Sequence, residues 1–349
     1  MTQSIAVLGA TGRTGRGIAR KLAEAGQSVI LVGRDAARLN AVAAELPGSR
    51  VVAGALDQAM SELSGEQLAV VVNTIGPFER TAPQAIDAFT SAHYVDLAND
   101  PIAFGLVLGR EAAARAARRT LVTGAGFGVL ATEAAAMHVV EGRPTAKSVR
   151  VDAMSSSEAD GSPLGEALAA TIIDGIGSMS RIPARERRDW PGFGSQRELV
   201  ITPEGQHILS VGFPSGEYIA AARATGASTA FSASSEAPSS RLVPVVMPLA
   251  LVALRSARLR RSLVTRMAAV PWVSREEPRP SWARARAEWA DGTTRVAWLR
   301  IGDAMEFTIA TGAEVALRLA KGEGRPGAFT PGALFGTQLA LQSGGVFVD

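Results

Sequence analysis

The first residues of the chain place an apolar run, a glycine turn and a helical pattern in direct succession. Residues 5–8 are apolar and typical of a strand, and residues 18–25 carry apolar side chains at helical spacing. This order predicts a dinucleotide-binding site, because glycines let the backbone approach a pyrophosphate at the N-terminus of a helix. The alternative is a plain structural turn, since the spacing is GxxGxxG. The expected phosphate-binding residues are Gly9, Ala10, Thr11, Gly12, Arg13, Thr14 and Gly15.

The same alternation of strand and helix patterns continues to residue 142. Six strands alternating with helices predict an α/β fold with a doubly wound parallel sheet. After the first, the predicted strands are 28–32, 50–55, 68–72, 93–97 and 120–123.

Beyond residue 142 the strand candidates no longer alternate one-to-one with helices. This pattern predicts an antiparallel sheet in a second, α+β domain over 143–324. The strand candidates there are 147–156, 197–201, 207–211, 282–289 and 294–301, and helices are expected at 163–178, 307–320 and, in the tail, 333–342.

The end of the second strand indicates which cofactor is bound. NAD sites carry an acid there, whereas this chain reads Gly33-Arg34-Asp35, with Arg38 one turn later. A guanidinium can pair with a 2′-phosphate and stack on adenine, so Arg34 and Arg38 favour NADP (NADPH). The alternative is that Arg34 is a solvated loop residue. Asp35 is predicted to cap the next helix, and Asp57 is a candidate adenine contact or a turn residue.

The composition removes several kinds of chemistry. The chain has 349 residues and no cysteine, which excludes disulfides, thiolate catalysis and cysteine-based zinc sites. Its three histidines are scattered, so no metal site is expected. Neither tyrosine, Tyr94 or Tyr218, has a lysine four places later, which excludes the Tyr–Lys pair of short-chain dehydrogenases. The N-terminal residues do not resemble a signal peptide, so a cytoplasmic protein is expected.

Candidate catalytic side chains follow the fifth strand. Tyr94 and Asp96 share one face of that strand because side chains alternate, so they can converge on one site with Asp96 orienting. Alternatively, Tyr94 is a core residue and Asp96 caps the next helix.

Two further loops are expected to line the site, because ligands bind beyond the carboxyl ends of parallel strands. Asn73, Gly76 and Pro77 are expected at the nicotinamide. The substrate candidates are Phe78, Phe127 and Glu133; a helix cap is the alternative role for Glu133.

The second half of the chain is unevenly charged. The net charge is only +3, yet residues 241–300 contain twelve arginines, no lysine and four acids. Such a segment can attract an acidic substrate or a carrier protein. Nucleic acid is not an expected partner of this segment. The apolar run 242–254 is too short to span a bilayer; it is interpreted as a buried interface helix, with membrane contact or a carrier-protein surface as alternatives.

The motifs together resemble the saccharopine dehydrogenase-like oxidoreductases, including their trans-acting enoyl reductase branch. The matching motifs are GATGRTG at 9–15, GR at 33–34, NTIGPF at 73–78, HYVDLAND at 93–100, GAGFG at 124–128 and, more weakly, PGAFTPGALFG at 326–336. The resemblance implies NAD(P)-dependent hydride transfer to a C=N or activated C=C bond. It also implies a variant Rossmann domain, 1–142, completed by the C-terminal tail 325–349, with an inserted domain for substrate binding or dimerisation.

The chain departs from the family pattern at several positions. The family commonly has an aspartate after the Gly-Phe of the glycine loop, and a proline and an aspartate further on; here these positions read Gly128, Ala131 and Glu133. Where Gly-Glu is common, this chain reads Asn99-Asp100. The expected function is an NADPH-dependent reductase of a small-molecule or carrier-protein-bound substrate, acting as a homodimer. The alternative is a non-catalytic NADP-binding sensor or scaffold.

Overall fold

The computed structural model describes residues 4–156, 160–163, 169, 173, 195–237, 252, 256–273 and 279–348. Its strands are β1 (Ser4–Leu8), β2 (Val29–Gly33), β3 (Arg50–Ala53), β4 (Leu68–Asn73), β5 (His93–Asp96), β6 (Thr120–Val122), β7 (Ser148–Met154), β8 (Asp160–Pro163), β9 (Glu198–Ile201), β10 (His207–Gly212), β11 (Thr229–Ser234), β12 (Pro271–Val273), β13 (Ser281–Glu288), β14 (Thr294–Ile301), β15 (Gly327–Phe329) and β16 (Val346–Val348). Its helices are α1 (Arg13–Glu24), α2 (Ala36–Glu45), α3 (Leu56–Leu63), α4 (Phe78–Ala88), α5 (Pro101–Leu108), α6 (Glu111–Ala116), α7 (Phe127–Val140), α8 (Gly216–Thr225), α9 (Ala257–Ala268), α10 (Ala304–Ala320), α11 (Pro331–Phe335) and α12 (Gln338–Gln342).

The chain forms two compact units. Unit 1 comprises Met1–Ala98, Ala103–Gly126 and Met305–Phe335, and unit 2 comprises Asn99–Ile102, Phe127–Ala304 and Gly336–Asp349. These bounds differ from the domains expected from the sequence, because α7 belongs to unit 2 and nearly all of α10 belongs to unit 1.

Unit 1 is built on a parallel sheet in the order β15-β6-β5-β4-β1-β2-β3. β1, β2 and β4 are nearly continuous apolar runs, as expected for strands covered on both faces. The sequence predicted six of these strands in a doubly wound α/β fold, which is confirmed. The seventh, β15, comes from the start of the tail, whereas residues 336–349 of the tail belong to unit 2.

Two glycines let α1 and α10 pack closely inside unit 1. A Cβ on Gly17 would lie 2.5 Å from Ile309 Cδ1, and a Cβ on Gly312 would lie 2.7 Å from Ile18 Cδ1. Each helix therefore presents a glycine to an isoleucine of the other. This packing positions α1, whose N-terminus follows the glycine turn.

Unit 2 contains a second sheet in the order β16-β14-β13-β7-β11-β10-β9. Trp282 is fully buried in its core and meets Trp298 edge to face at 5.8 Å. β11 pairs with β7 in parallel, while the other neighbours are antiparallel. The expectation of an antiparallel sheet was therefore wrong in this detail: the sheet is mixed.

Several predicted boundaries shift. α7 begins at Phe127 rather than near residue 131, and the predicted helix 333–342 is two short helices, α11 and α12. The tail strand β16 was not predicted. The predicted helix 163–178 and the apolar run 242–254 lie almost entirely outside the described residues. Among the helices that are described, none is long and apolar enough to cross a membrane.

Candidate functional site

The order of strands in unit 1 creates a crevice beside β1. From β1 the chain moves to β2 and β3 on one side, whereas β4, β5 and β6 lie on the other. The loops after β1 and β4 therefore leave the sheet in opposite directions. A parallel sheet binds its ligand at this reversal, beyond the carboxyl ends of the strands.

The glycine turn after β1 is fixed by its own backbone. The N–H groups of Gly9 and Ala10 donate to the Val32 carbonyl oxygen at 2.9 and 3.1 Å. Gly9 has a φ of +86°, which favours glycine. A Cβ on Gly15 would collide with the Gly9 carbonyl oxygen. The first turn of α1 can therefore approach Gly9 this closely only because residue 15 is glycine. Gly12 is the N-cap of α1, so the turn leads directly to the positive end of that helix.

Thr74 joins the loop after β4 to the glycine turn. Its backbone N–H and its hydroxyl both donate to the Leu8 carbonyl oxygen, at 3.0 and 2.7 Å. A Cβ on Gly9 would lie 2.6 Å from the Thr74 hydroxyl oxygen. The two loops that flank the crevice are therefore in contact. The sequence motif contained Thr74, but its position alone did not indicate this role.

Asn73 organises the loop that follows β4. Its side-chain amide donates to the Thr81 hydroxyl at 3.0 Å and to the Tyr94 hydroxyl at 3.1 Å, and its side-chain oxygen accepts from the Ile75 N–H at 3.0 Å. The side chain is fully buried. Asn73 thus shapes the loop containing Gly76 and Pro77, and a nicotinamide contact by any of the three residues stays a prediction.

Asp96 links the ends of β5 and β6. Its Oδ1 accepts hydrogen bonds from the Ala98 N–H, the Thr123 hydroxyl and the Gly124 N–H, at 2.8 to 3.1 Å. Its Oδ2 accepts from the Tyr94 hydroxyl at 3.0 Å. Because Tyr94 also accepts from Asn73, one chain of hydrogen bonds connects the carboxyl ends of β4, β5 and β6.

Burial controls the ionisation of this pair. Tyr94 is 1% exposed and Asp96 is 0% exposed. Burial raises the pKa of Asp96 from 3.8 to about 6, against the lowering effect of its hydrogen bonds, and it raises the pKa of Tyr94 well above 10. The sequence correctly brought the two side chains together. Both side chains are enclosed and hydrogen-bonded to protein groups, so they hold the strand ends in place. Proton donation by either side chain stays a prediction.

Of the residues predicted to contact the adenosine half of the cofactor, Arg38 lies at the glycine turn. Asp35 Oδ1 accepts from the Arg38 N–H at 3.0 Å, which confirms the predicted cap of α2. The Arg38 guanidinium donates to the Thr11 carbonyl oxygen at 3.3 Å, which places it at the turn. Arg34 is exposed at the end of β2, and Asp57 is exposed in the first turn of α3. Their contacts with a nucleotide stay predictions.

The three predicted substrate residues are all buried. Phe78 begins α4 in unit 1, and Phe127 begins α7 in unit 2. Glu133 is fully buried. It lies in the second turn of α7 because this helix starts earlier than the sequence predicted. The alternative interpretation of Glu133 as a cap in the first turn is therefore wrong.

Unit 2 contains a buried carboxyl that sequence reasoning missed. Glu217, in the first turn of α8, is 4% exposed, and its Oε1 accepts from the Asn99 side-chain amide at 3.0 Å. Burial raises the pKa of Glu217. A Cβ on Gly128 would collide with Glu217 Oε1. The carboxyl therefore lies beside the position where the resembled family commonly has aspartate. Asn99 and Glu217 are 118 residues apart in the chain, so no local pattern signalled the pair.

The basic segment is partly neutralised by unit 2 itself. Arg284 pairs with Glu198 at 2.7 Å and Arg300 pairs with Glu204 at 2.6 Å. Arg284 also pairs with Asp152, with 3.5 Å between Arg284 Nη1 and Asp152 Oδ2. The local excess of positive charge counted from the sequence therefore overstates the charge that this segment presents to a partner.

Comparison with protein families identifies the nucleotide-binding domain. Residues 5–123 match the family described as the saccharopine dehydrogenase NADP binding domain. The nucleotide-binding domain of this chain is therefore of the saccharopine dehydrogenase type. The resemblance drawn from the motifs is confirmed, and so is NADP as the cofactor of the domain. A search of curated proteins found no match.

Two solved structures are similar to this chain over nearly its whole length. Saccharopine dehydrogenase (L-Glu forming) from Saccharomyces cerevisiae is 12% identical, with 99% of this chain and 100% of that chain covered and a TM-score of 0.59. At this identity the similarity shows the fold alone. GenD2 from gentamicin A biosynthesis, in complex with NAD, is 16% identical, with 99% of this chain and 96% of that chain covered and a TM-score of 0.45.

The raised pKa of Asp96 predicts a specific pH dependence. The folded state binds the Asp96 proton more tightly than the unfolded state does. The stability that protonated Asp96 contributes is therefore complete below about pH 4 and is lost as the pH rises to about 6. We expect the melting temperature of the wild type to fall over this range relative to Asp96→Asn, which cannot ionise. Asp96→Asn is expected to be less stable overall, by about 1–3 kcal/mol, because its amide N–H group faces hydrogen-bond donors. Parallel pH profiles of the two proteins in thermal unfolding would contradict the assignment.

Proposed function

We propose that this protein is an NADPH-dependent reductase that transfers a hydride to a C=N bond of a small or carrier-bound metabolite. An activated C=C bond is the second class of acceptor. The observation that carries the proposal is the contact between the glycine turn and the Thr74 loop at the strand reversal of a saccharopine dehydrogenase-type NADP-binding domain.

The residues of the glycine turn fit a pyrophosphate. Gly9, Gly12 and Gly15 let the turn fold back tightly on itself, because a Cβ at each would meet protein atoms, and α1 directs its positive end toward the turn. Arg34 and Arg38 supply positive charge at the end of β2, where a 2′-phosphate distinguishes NADPH from NADH. Bound NADPH would supply the hydride.

The buried Tyr94–Asp96 pair favours the C=N acceptor. Reduction of a neutral C=C or C=O bond needs a proton donor at the acceptor, whereas an iminium ion already carries its proton. Both side chains are enclosed and hydrogen-bonded to protein groups, so they stabilise the loops beside the crevice rather than offer an open acid. An acceptor with little need for acid catalysis matches this arrangement.

Arg34→Ala tests the cofactor assignment. Loss of a charge-assisted hydrogen bond costs about 1.5–3 kcal/mol, so we expect NADPH affinity to fall roughly tenfold to a hundredfold while NADH affinity stays unchanged. Titration calorimetry measures both affinities. Arg50→Ala is the matched control, because Arg50 is also exposed but lies at the opposite end of a strand and pairs with Glu66. An unchanged preference for NADPH in Arg34→Ala would refute the 2′-phosphate role.

The reaction is tested by NADPH oxidation with three kinds of acceptor. We expect turnover with imines formed from primary amines and aldehydes or 2-oxo acids, and less or none with 2-oxo acids alone. Faster oxidation with enoyl thioesters would instead indicate the C=C class. Tight NADPH binding without oxidation by any acceptor would favour a non-catalytic NADP-binding sensor.

A further inference from the structure

We propose that Glu217 is a substrate-binding residue of unit 2 whose Oε2 accepts a hydrogen bond from the N–H group of a cationic amine or iminium substrate. The inference deepens the proposed function and rests on it for the chemical class of the substrate.

The carboxyl group is held in one orientation by its neighbours in unit 2. The Asn99 side-chain amide donates to Oε1, and the Asn99 side-chain and backbone oxygens both accept from the Gly216 N–H, at 3.2 and 2.7 Å. Asn99 therefore ties its own loop to the start of α8 and fixes one carboxyl oxygen. Gly128 leaves the space that Oε1 occupies, since any Cβ there would displace it.

The other carboxyl oxygen is left without a partner. Oε2 of Glu217 is buried and meets no donor in hydrogen-bond geometry within the part of the chain that the structure describes, although the Ser215 hydroxyl and the Glu217 backbone N–H lie near enough to the carboxyl to lower its pKa. Buried polar atoms in folded proteins are nearly always hydrogen-bonded, and each exception calls for an explanation. A binding site for an external donor explains why Oε1 accepts a hydrogen bond from Asn99 while Oε2 accepts none in the described part of the chain.

The charges around Glu217 favour a cation as that donor. The charged side chain that most affects its pKa is another acid, Glu236, which raises it further. Two acids exclude an anionic ligand group and attract a protonated amine, whose N–H groups match the acceptor oxygen. An arriving cation would also stabilise the ionised carboxyl, which burial alone disfavours. Because Glu217 is only 4% exposed, its surroundings must open for the ligand to reach it.

Glu217→Gln is the decisive variant because it conserves shape and reverses one hydrogen bond. Its side-chain oxygen still accepts from Asn99, while an amide NH₂ group replaces Oε2 and repels an N–H donor. The variant removes a buried ionisable group, so it is expected to fold. The probe is n-butylammonium chloride, with tetramethylammonium chloride as a cation that has no N–H group.

We expect n-butylammonium to raise the melting temperature of the wild type more than tetramethylammonium does, and this difference to vanish in Glu217→Gln. Glu236→Gln, an exposed acid carrying the same substitution, is expected to retain most of the difference. NADPH affinity should be the same in all three proteins, which confirms an intact unit 1. Equal responses of the wild type and Glu217→Gln to n-butylammonium would overturn the proposal.

The acceptor panel separates this inference from the proposed function. If imines are reduced, Glu217→Gln should raise the KM for the amine at least tenfold and leave the KM for NADPH unchanged. Imine reduction that is indifferent to Glu217→Gln would refute the inference and keep the function. Amine binding that depends on Glu217, without any turnover, would refute the function and keep the binding site.

Discussion

The NADP-binding domain depends on two very close contacts of glycine backbone at the end of β1. Gly15 lies against the Gly9 carbonyl oxygen, and Gly9 lies against the Thr74 hydroxyl, with no room for a Cβ at either position. A backbone atom cannot move aside as the end of a flexible side chain can, and overpacking of a closed site costs about 1–3 kcal/mol. This contact sets where α1 begins, and hence where its positive end points. The glycines are therefore required first by the fold, and the proposed phosphate site follows from the same geometry.

The polar groups beneath this site are enclosed and serve to hold the loops. Asp96 receives hydrogen bonds from side chains and backbone on β5 and on the loop after β6, and Tyr94 extends the chain to Asn73 on β4. A buried carboxyl with four donors is stable only while all of them are in place, which fixes three strand ends relative to one another. If the acceptor is an iminium ion, as proposed, the protein needs chiefly to position the reactants. The unpartnered carboxyl oxygen of Glu217, in the other unit, contrasts with this fully used group.

The sequence predicted the parts of the molecule that local pattern determines. Alternating strand and helix patterns gave the parallel sheet, and the acid after Gly33-Arg34 gave the cap of α2. Strand periodicity also placed Tyr94 beside Asp96. Contacts between distant segments could not be predicted in this way. The parallel pairing of β7 with β11 and the approach of Glu217 to Asn99 and Gly128 depend on tertiary packing that no local spacing encodes. The predicted start of α7 also came about four residues too late, so Glu133 was interpreted as a residue of the first turn although it lies in the second.

The central claim is that NADPH binds across the glycine turn and the loop after β4. Hydrogen–deuterium exchange of the full chain, with and without NADPH, tests it most directly because each backbone segment is measured separately. The account predicts that NADPH slows exchange in peptides covering residues 9–15 and 74–78. It also predicts that exchange in peptides covering residues 33–38 is slowed more by NADPH than by NADH. Unchanged exchange in 9–15 under saturating NADPH, with protection confined to other parts of the chain, would contradict it.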